Sequence, residues 1–249
     1  MPENNPMPEN LDSDAGGSAL LVGRGISRTY GAGELAVRVL QPADISVRSG
    51  EVVVIVGPSG SGKTTLLSIL GLVLSPSEGE VWLGPTRVSG LERDALARIR
   101  LRSMGFVFQQ FNLMQGLTAL ENVELPLVLS GTERKHRRER ALSALAQVGL
   151  AERAEHKPRQ LSGGQQQRVT IARAVVTNPS VVLCDEPTAS LDGASGKLVL
   201  DLLRKSVTGA ERAVLVVTHD ERVLRIADRV IEVAEGHVRE RSSALKGAA

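Results

Sequence analysis

The run VVVIVGPSGSGKTTLLSILGL, residues 52–72, changes character twice. VVVIV (52–56) is a short β-branched stretch, the pattern of a strand buried on both faces in a parallel sheet. GPSGSG (57–62) is a turn. KTTLLSILGL (63–72) returns to helical spacing, with Gly71 placed near its end. A strand, a glycine-rich turn and a helix opening on Lys-Thr satisfy G-x-x-x-x-G-K-[ST] in the context that gives the pattern meaning. Gly57, Gly60 and Gly62 permit backbone angles and close approaches that a Cβ obstructs. Backbone N–H groups of Gly57, Pro58, Ser59, Gly60, Ser61 and Gly62, proline excepted, and of Lys63, Thr64 and Thr65 then face phosphate oxygens at a positive helix end. Lys63 is expected to reach the β- and γ-phosphates and Thr64 to ligate Mg²⁺.

A matching acid follows downstream. VVLCDEP (181–187) is another apolar strand, ending in Asp185 and Glu186. Strand-end carboxylates emerge at the carboxyl edge of an open α/β sheet, where ligands bind. Asp185 is expected to hold Mg²⁺ directly or through water, and Glu186 to polarise the attacking water. AVLVVTH (213–219) delivers His219 to the same edge. LSGGQQQR (161–168) is a second phosphate-type helix start: Ser162, Gly163 and Gly164 offer a hydroxyl and amides where the helix begins, and Ser162 is also a good capping residue.

The rest of the chain frames these motifs. VWL (81–83) and MGFVF (104–108) are strand candidates. GASGKLVLDLLRKSV (193–207) sets Leu198, Val199, Leu202 and Leu203 at helical spacing. Strand, helix and strand in succession predict a parallel sheet with crossover helices. VIEVAEGHVRE (230–240) reads as a hairpin turning at Glu235-Gly236. Residues 110–160 are helix-rich without a strong strand and read as a helical insertion; their charged run ERKHRRER (133–140) reads as a solvated helix face.

Composition sets limits. The chain has 249 residues, enough for a substantial core, and 42% of them are hydrophobic. A formal charge of +2 gives no ground for a nucleic-acid partner. The single cysteine, Cys184, excludes an internal disulfide and suits a reducing compartment. Residues 1–19 are polar, lack the apolar core of a secretory signal, and are expected to form a disordered tail; residues 242–249 are expected to form a second tail. No uncharged apolar run approaches membrane-spanning length, so a membrane role is expected to run through a partner.

GPSGSGKT, FVFQQ, LSGGQQQR, VVLCDEP, SLD and THD, in that order, resemble the ATP-binding-cassette (ABC) ATPases over about residues 20–241. The resemblance implies an α/β P-loop core with a parallel sheet, an antiparallel β subdomain and an α-helical subdomain. It implies ATP and Mg²⁺ as ligands and a head-to-tail dimer. In such a dimer Ser162, Gly163, Gly164 and Gln165 face the γ-phosphate bound by the partner copy, and Asp192 of SLD crosses the interface. It casts Tyr30, in RTYGAG, as the aromatic that stacks on adenine. Gln109 becomes the residue that contacts Mg²⁺ and the attacking water, with Gln110 its less favoured neighbour, and His219 the contact to the γ-phosphate. FVFQQFNLMQGLTALENVELPL (106–127) and RTYGAGELAVRVL are similar to the subgroup serving lipoprotein-releasing and macrolide- or peptide-export permeases. Gln115 in place of a proline, the residue before Pro76, and Cys184 in place of an alanine depart from that subgroup. The resemblance implies a separate integral membrane permease and a place on the inner face of the plasma membrane. A cell-division relative that signals without transporting is the alternative. A soluble DNA-repair cassette is more distant, since the span from Lys63 to Ser162 is short for a coiled coil and one cysteine builds no zinc site.

Overall fold

A computed structural model describes residues 19–208 and 211–241. The tails expected at 1–19 and 242–249 lie outside the described residues, except Ala19, which opens the first strand and is buried. In chain order the elements are β1 (Ala19–Tyr30), β2 (Val37–Arg48), β3 (Val52–Val56), α1 (Lys63–Leu70), β4 (Glu78–Leu83), β5 (Thr86–Arg87), α2 (Arg93–Ser103), β6 (Met104–Val107), α3 (Ala119–Leu129), α4 (Arg134–Gln147), α5 (Gly163–Val175), β7 (Val181–Asp185), α6 (Gly193–Val207), β8 (Ala213–Val217), β9 (Arg229–Ala234) and β10 (His237–Glu240).

The strands form two sheets. One is six-stranded in the order β10-β9-β3-β8-β7-β6, parallel except for β10 at its edge. The other is antiparallel, in the order β2-β1-β4-β5. The continuous apolar runs of β3, β7 and β8 follow from burial on both faces. Successive side chains point to opposite faces of a strand. Val52, Val54, Val182, Cys184, Val214 and Val216 therefore pack into one core with α3, α4, α5 and α6. Val53, Ile55, Val181, Leu183, Leu215 and Val217 pack into another with α1 and the antiparallel sheet.

Two details differ from the sequence reading. The strand expected over 104–108 ends at Val107, and Phe108 is partly exposed. In α6, Leu198 is 43% exposed, whereas Gly196, Val199, Leu200, Leu203 and Val207 form the buried face. Leu198 stands two residues, about 200° of helix rotation, before Leu200, so the two cannot share a face. The 110–160 segment holds α3 and α4, and α5, which starts beyond it, packs against both. In the charged run of α4, Arg134, Lys135, His136 and Arg138 are exposed, as a solvated face requires.

Sheet register decides where the motifs meet. Ile55 pairs with Val217, Asp185 with Val217, and Val107 with Cys184. The carboxyl ends of β3, β8, β7 and β6 are thus level. The phosphate loop, Asp185, His219 and Gln109 all leave the sheet at that single edge.

Candidate nucleotide site

The phosphate loop takes its shape from three glycines with positive φ: Gly57 at 152°, Gly60 at 77° and Gly62 at 106°. Gly62 is the N-cap of α1 and supplies no side-chain cap, so the first N–H groups of the helix stay available to a ligand. A Cβ on Gly62 would meet the Val39 carbonyl oxygen at 2.8 Å, and one on Gly57 would collide with the Val233 carbonyl. The loop is buttressed from the far end of the chain. Glu235 and Gly236, with φ of 50° and 77°, make the tight β9–β10 turn. The Gly236 N–H donates to the Ser61 carbonyl at 3.1 Å, and Gln41 N–H donates to the Gly236 carbonyl at 2.9 Å. Sequence reading finds the hairpin but not its contact with the loop, because that contact is tertiary.

Lys63 is buried, and its Nζ donates to the Gly57 and Pro58 carbonyls at 2.9 and 2.8 Å. The ammonium therefore sits inside the concavity of the loop. Ser61 is buried too, and its Oγ has no hydrogen-bond partner. A buried hydroxyl left without a partner is costly unless a ligand completes it. Pro58, Ser59, Gly60 and Thr64 are exposed and Thr65 is half-buried. This combination fits a bound polyphosphate.

Asp185 ends β7 half-buried. Burial, with a smaller contribution from Glu186, pushes its carboxyl above the ordinary range, while Lys63 opposes the shift. A cation is the natural complement to such a carboxylate. Among the described residues no three His, Cys, Asp or Glu side chains gather as a metal cluster. One carboxylate and a threonine hydroxyl suit Mg²⁺, which takes few protein ligands and completes its shell with phosphate and water.

Glu186 has φ of 48°, an uncommon conformation for a residue with a side chain. Its N–H donates to the Val217 carbonyl at 2.9 Å. Its carboxylate accepts from Thr218 Oγ1 at 2.8 Å and from the His219 N–H at 3.1 and 3.3 Å, and lies 2.6 Å from His219 Nδ1. Thr218, fully buried, is a site residue that sequence reading passed over. Its signal was a hydroxyl at the end of an apolar strand, beside a residue already singled out.

Gln109 lies in an exposed turn just past β6. Phe111 and Asn112, which follow, both have φ of 49°. Arg173 of α5 holds this turn by donating to the Phe111 and Asn112 carbonyls at 3.0 and 2.7 Å. Tyr30 ends β1, is 42% exposed, and has the Arg28 guanidinium 4.7 Å from its ring centroid.

The second helix start stands apart. Ser162 caps α5: its Oγ accepts from the Gln165 N–H at 3.3 Å, and Gln165 Oε1 accepts from the Ser162 N–H at 2.9 Å. Gly163 adjoins Phe111, Leu191 and Ser190. A Cβ on Gly164 would meet Ser195 Oγ at 2.6 Å, so glycine is what lets α5 approach α6. Asp192 caps α6, accepting from the Ser195 N–H at 2.9 Å and Oγ at 2.8 Å; the Ser195 backbone bond is the main reason its carboxyl sits below the usual range. Among the described residues no hydrogen bond joins Ser162, Gly163, Gly164, Gln165 or Asp192 to the phosphate loop. Gln167 is buried and donates to the Pro187 carbonyl at 2.9 Å, tying α5 to the segment after Glu186.

The comparisons agree with this geometry. The protein family described as ABC transporter matches residues 40–189. The chain is 47% identical over 231 residues to the uncharacterized ABC transporter ATP-binding protein MJ0796 of Methanocaldococcus jannaschii, covering 90% of this chain and 97% of that one. It is 48% identical over 213 residues to the macrolide export ATP-binding/permease protein MacB of Burkholderia pseudomallei, covering 86% of this chain but 32% of that protein. The chain thus spans about a third of the length of the macrolide-export relatives it matches. Among solved structures, dimeric MJ0796 superposes with a TM-score of 0.82 at 45% identity, over 89% of this chain and 97% of that one. Dimeric MJ0796 in a post-hydrolysis state bound to ADP and Pi superposes with a TM-score of 0.81 at 45% identity, over the same shares. This chain belongs to the ABC transporter family, as one of its ATP-hydrolysing cassettes.

Proposed function

We propose that this cassette binds Mg²⁺-ATP, closes on a second copy of itself head to tail, and through that closure drives a membrane permease of the lipoprotein-releasing or macrolide-export kind. The carrying observation is the level sheet edge, which gathers the loop, Asp185, Glu186, His219 and Gln109. It leaves the Ser162 helix start without a bond to the phosphate loop of its own chain. That helix start serves the partner copy's γ-phosphate, and Asp192 lies beside it at the interface.

In this reading Tyr30 stacks on adenine. The N–H groups from Gly57 to Thr65 and the Lys63 ammonium hold the β- and γ-phosphates. Thr64, Asp185 and Gln109 would hold Mg²⁺, which would supply neutralisation of charge on the phosphates. Glu186 orients and deprotonates the attacking water, and His219 contacts the γ-phosphate. ATP favours the closed pair because only that state supplies both sets of contacts.

Residues 20–241 make up the cassette, and its helical unit runs from about 110 through α5. A groove of about 600 Å³ between α2, β6, α3 and α5 is lined by Leu101, Phe106, Phe108, Pro126, Leu129 and Ala174 among others, and adjoins the turn carrying Gln109. It is the place for a permease helix, since the turn carrying Gln109 lies between this groove and the sheet edge where β6 ends. Among the described residues no helix is long and apolar enough to cross a membrane. The cassette accordingly sits at the inner face of the membrane through that permease. The MacB relatives carry the names of both functions, ATP binding and permease.

The test is a Ser59→Cys, Ser162→Cys double variant in a Cys184→Ala background. With Glu186→Gln added to trap ATP, a bismaleimide is expected to link two chains only when ATP is present. In the same cysteine pair with Glu186 intact, continued hydrolysis by monomers that never crosslink would refute the head-to-tail reading.

A further inference from the structure

A second cavity, of about 400 Å³, lies between β1, the segment after α1, and α2. None of the phosphate-loop residues lines it. Its wall carries three arginines, Arg28, Arg93 and Arg100, beside Leu74, Ser75 and Leu96. Among the described residues lining it there is no carboxylate; Glu92 and Asp94 flank Arg93 in sequence and form no part of the wall.

The arginines differ in how far the protein satisfies them. Arg100 donates to the Leu72 carbonyl at 2.6 Å, and Arg28 donates through one terminal nitrogen to the Ser75 carbonyl at 2.9 Å. Both guanidiniums are thereby fixed at the cavity wall. The Nε of Arg28 is buried and has no partner. The Arg93 side chain takes part in no hydrogen bond or ion pair among the described residues. Three like charges converge on one cavity with no carboxylate in its wall; the Arg28 guanidinium also lies over the Tyr30 ring, 4.7 Å from its centroid, but its buried Nε has no hydrogen-bond partner. Guanidiniums arranged so are matched to tetrahedral oxyanions, which accept from several forked donors together. Leu74 and Leu96 lower the local dielectric and strengthen such contacts.

We propose that this cavity is an anion site that takes a phosphate group. Two sources carry that chemistry: a soluble phosphate compound, and the headgroup of an acidic phospholipid. Arg28 and Arg100 form its fixed rim, and Arg93 is the arm that closes on the ligand.

The test uses the full chain saturated with ADP, which keeps the phosphate loop filled. Calorimetric titration with pyrophosphate is expected to show one further site. Arg93→Gln is expected to weaken it about tenfold, as loss of one charge-assisted contact does. Arg98→Gln, on the same helix but outside the cavity, should leave it unchanged. Arg93 has no partner to lose, so this pair of variants separates binding from folding. In parallel, the chain is sedimented with phosphatidylglycerol vesicles and with phosphatidylcholine vesicles. Arg93-dependent pyrophosphate binding assigns a soluble ligand; Arg93-dependent sedimentation with the acidic vesicles alone assigns a lipid headgroup. Absence of both, or equal losses from Arg93→Gln and Arg98→Gln, overturns the site, the latter by reducing it to general attraction along α2.

Discussion

His219 Nδ1 lies 2.6 Å from Glu186 Oε1, and the His219 N–H donates to the same carboxylate. The expected base and the expected γ-phosphate contact therefore hold each other. A carboxylate that accepts from both His219 and Thr218 has little capacity left for a water. His219, with an exposed side chain, is the partner free to leave. If His219 contacts the γ-phosphate as proposed, the imidazole would leave Glu186 and an Oε1 lone pair would become available to the water, so that substrate arrival would itself ready the base. Glu186→Gln is expected to keep ATP binding and to accumulate an ATP-dependent dimer on gel filtration. Its turnover is expected to fall by about a hundredfold or more. Normal turnover in that variant removes Glu186 from the role.

Thr218 acts through Glu186. Its hydroxyl donates to Glu186 Oε2 at 2.8 Å and accepts from the Asp220 N–H at 2.9 Å, in a fully buried position. Thr218→Val keeps the shape and removes both bonds. A bond to a charged group contributes about 1.5–3 kcal/mol, so kcat is expected to drop roughly ten- to a hundredfold. KM for ATP should hold, since Thr218 makes no phosphate contact in the proposed arrangement. Thr218→Ser should restore most of the rate. A loss in Thr218→Ser with Thr218→Val near the wild-type rate would mean that the methyl group, not the hydroxyl, matters.

The sequence carried the strand–loop–helix unit at Val52–Leu70 because a β-branched run, three glycines and a helical period are local signals. The same holds for Asp185 and His219, whose apolar strands end where the charged residues begin. What was not legible is what long-range contact creates. The Gly236–Ser61 bond joins residues far apart in the chain, and no local pattern announces it. Leu198 carries the right residue type but the wrong helix face. The Ser162–Gln165 capping box was half visible, as a good cap; that Gly164 is required by Ser195 of a neighbouring helix was not.

Lys63 tests the phosphate loop directly. Its ammonium already satisfies two loop carbonyls, so its removal would loosen the loop as well as delete the proposed phosphate contact. Lys63→Ala is expected to lower ATP affinity by roughly tenfold or more, in keeping with loss of a charged hydrogen bond. Fluorescent-nucleotide titration measures this. Unchanged affinity would contradict the assignment of the loop.

Gly236 tests the buttress. Its φ of 77° disfavours a side chain, and a Cβ there would meet the Val39 carbonyl oxygen at 2.7 Å. Gly236→Ala is expected to cost about 1–3 kcal/mol of stability in urea denaturation. It should also weaken ATP binding, because displacement of the turn frees the Ser61 carbonyl. Glu235→Asn, at the preceding turn position, replaces one residue of positive φ with another type that tolerates it, so stability there should hold or rise slightly. A stability loss at Gly236 without a change in ATP affinity would confine the turn to a folding role.

Asp220 gives a pH signature. Its carboxylate accepts from Arg222 Nε at 2.9 Å and from Thr188 Oγ1 at 2.7 Å, and the Arg222 bond is the main reason its pKa is held down to about 2. A folded-state pKa below the unfolded value of about 3.9 means that the charged form is favoured by folding. The contribution is therefore complete above that value and is lost as pH falls toward the folded pKa. Asp220→Asn keeps the size of the side chain and removes the charge. The difference in urea midpoint between wild type and variant is expected to be constant above pH of about 5 and to shrink below about 4. It should be nearly gone at about pH 2 if the fold persists there. Because Thr188 follows Glu186 and Pro187, the same variant should also slow hydrolysis modestly at neutral pH. A stability difference that stays flat from about pH 5 to about pH 2 would show that hydrogen-bond geometry, and not the charge on Asp220, holds the segment after His219 in place.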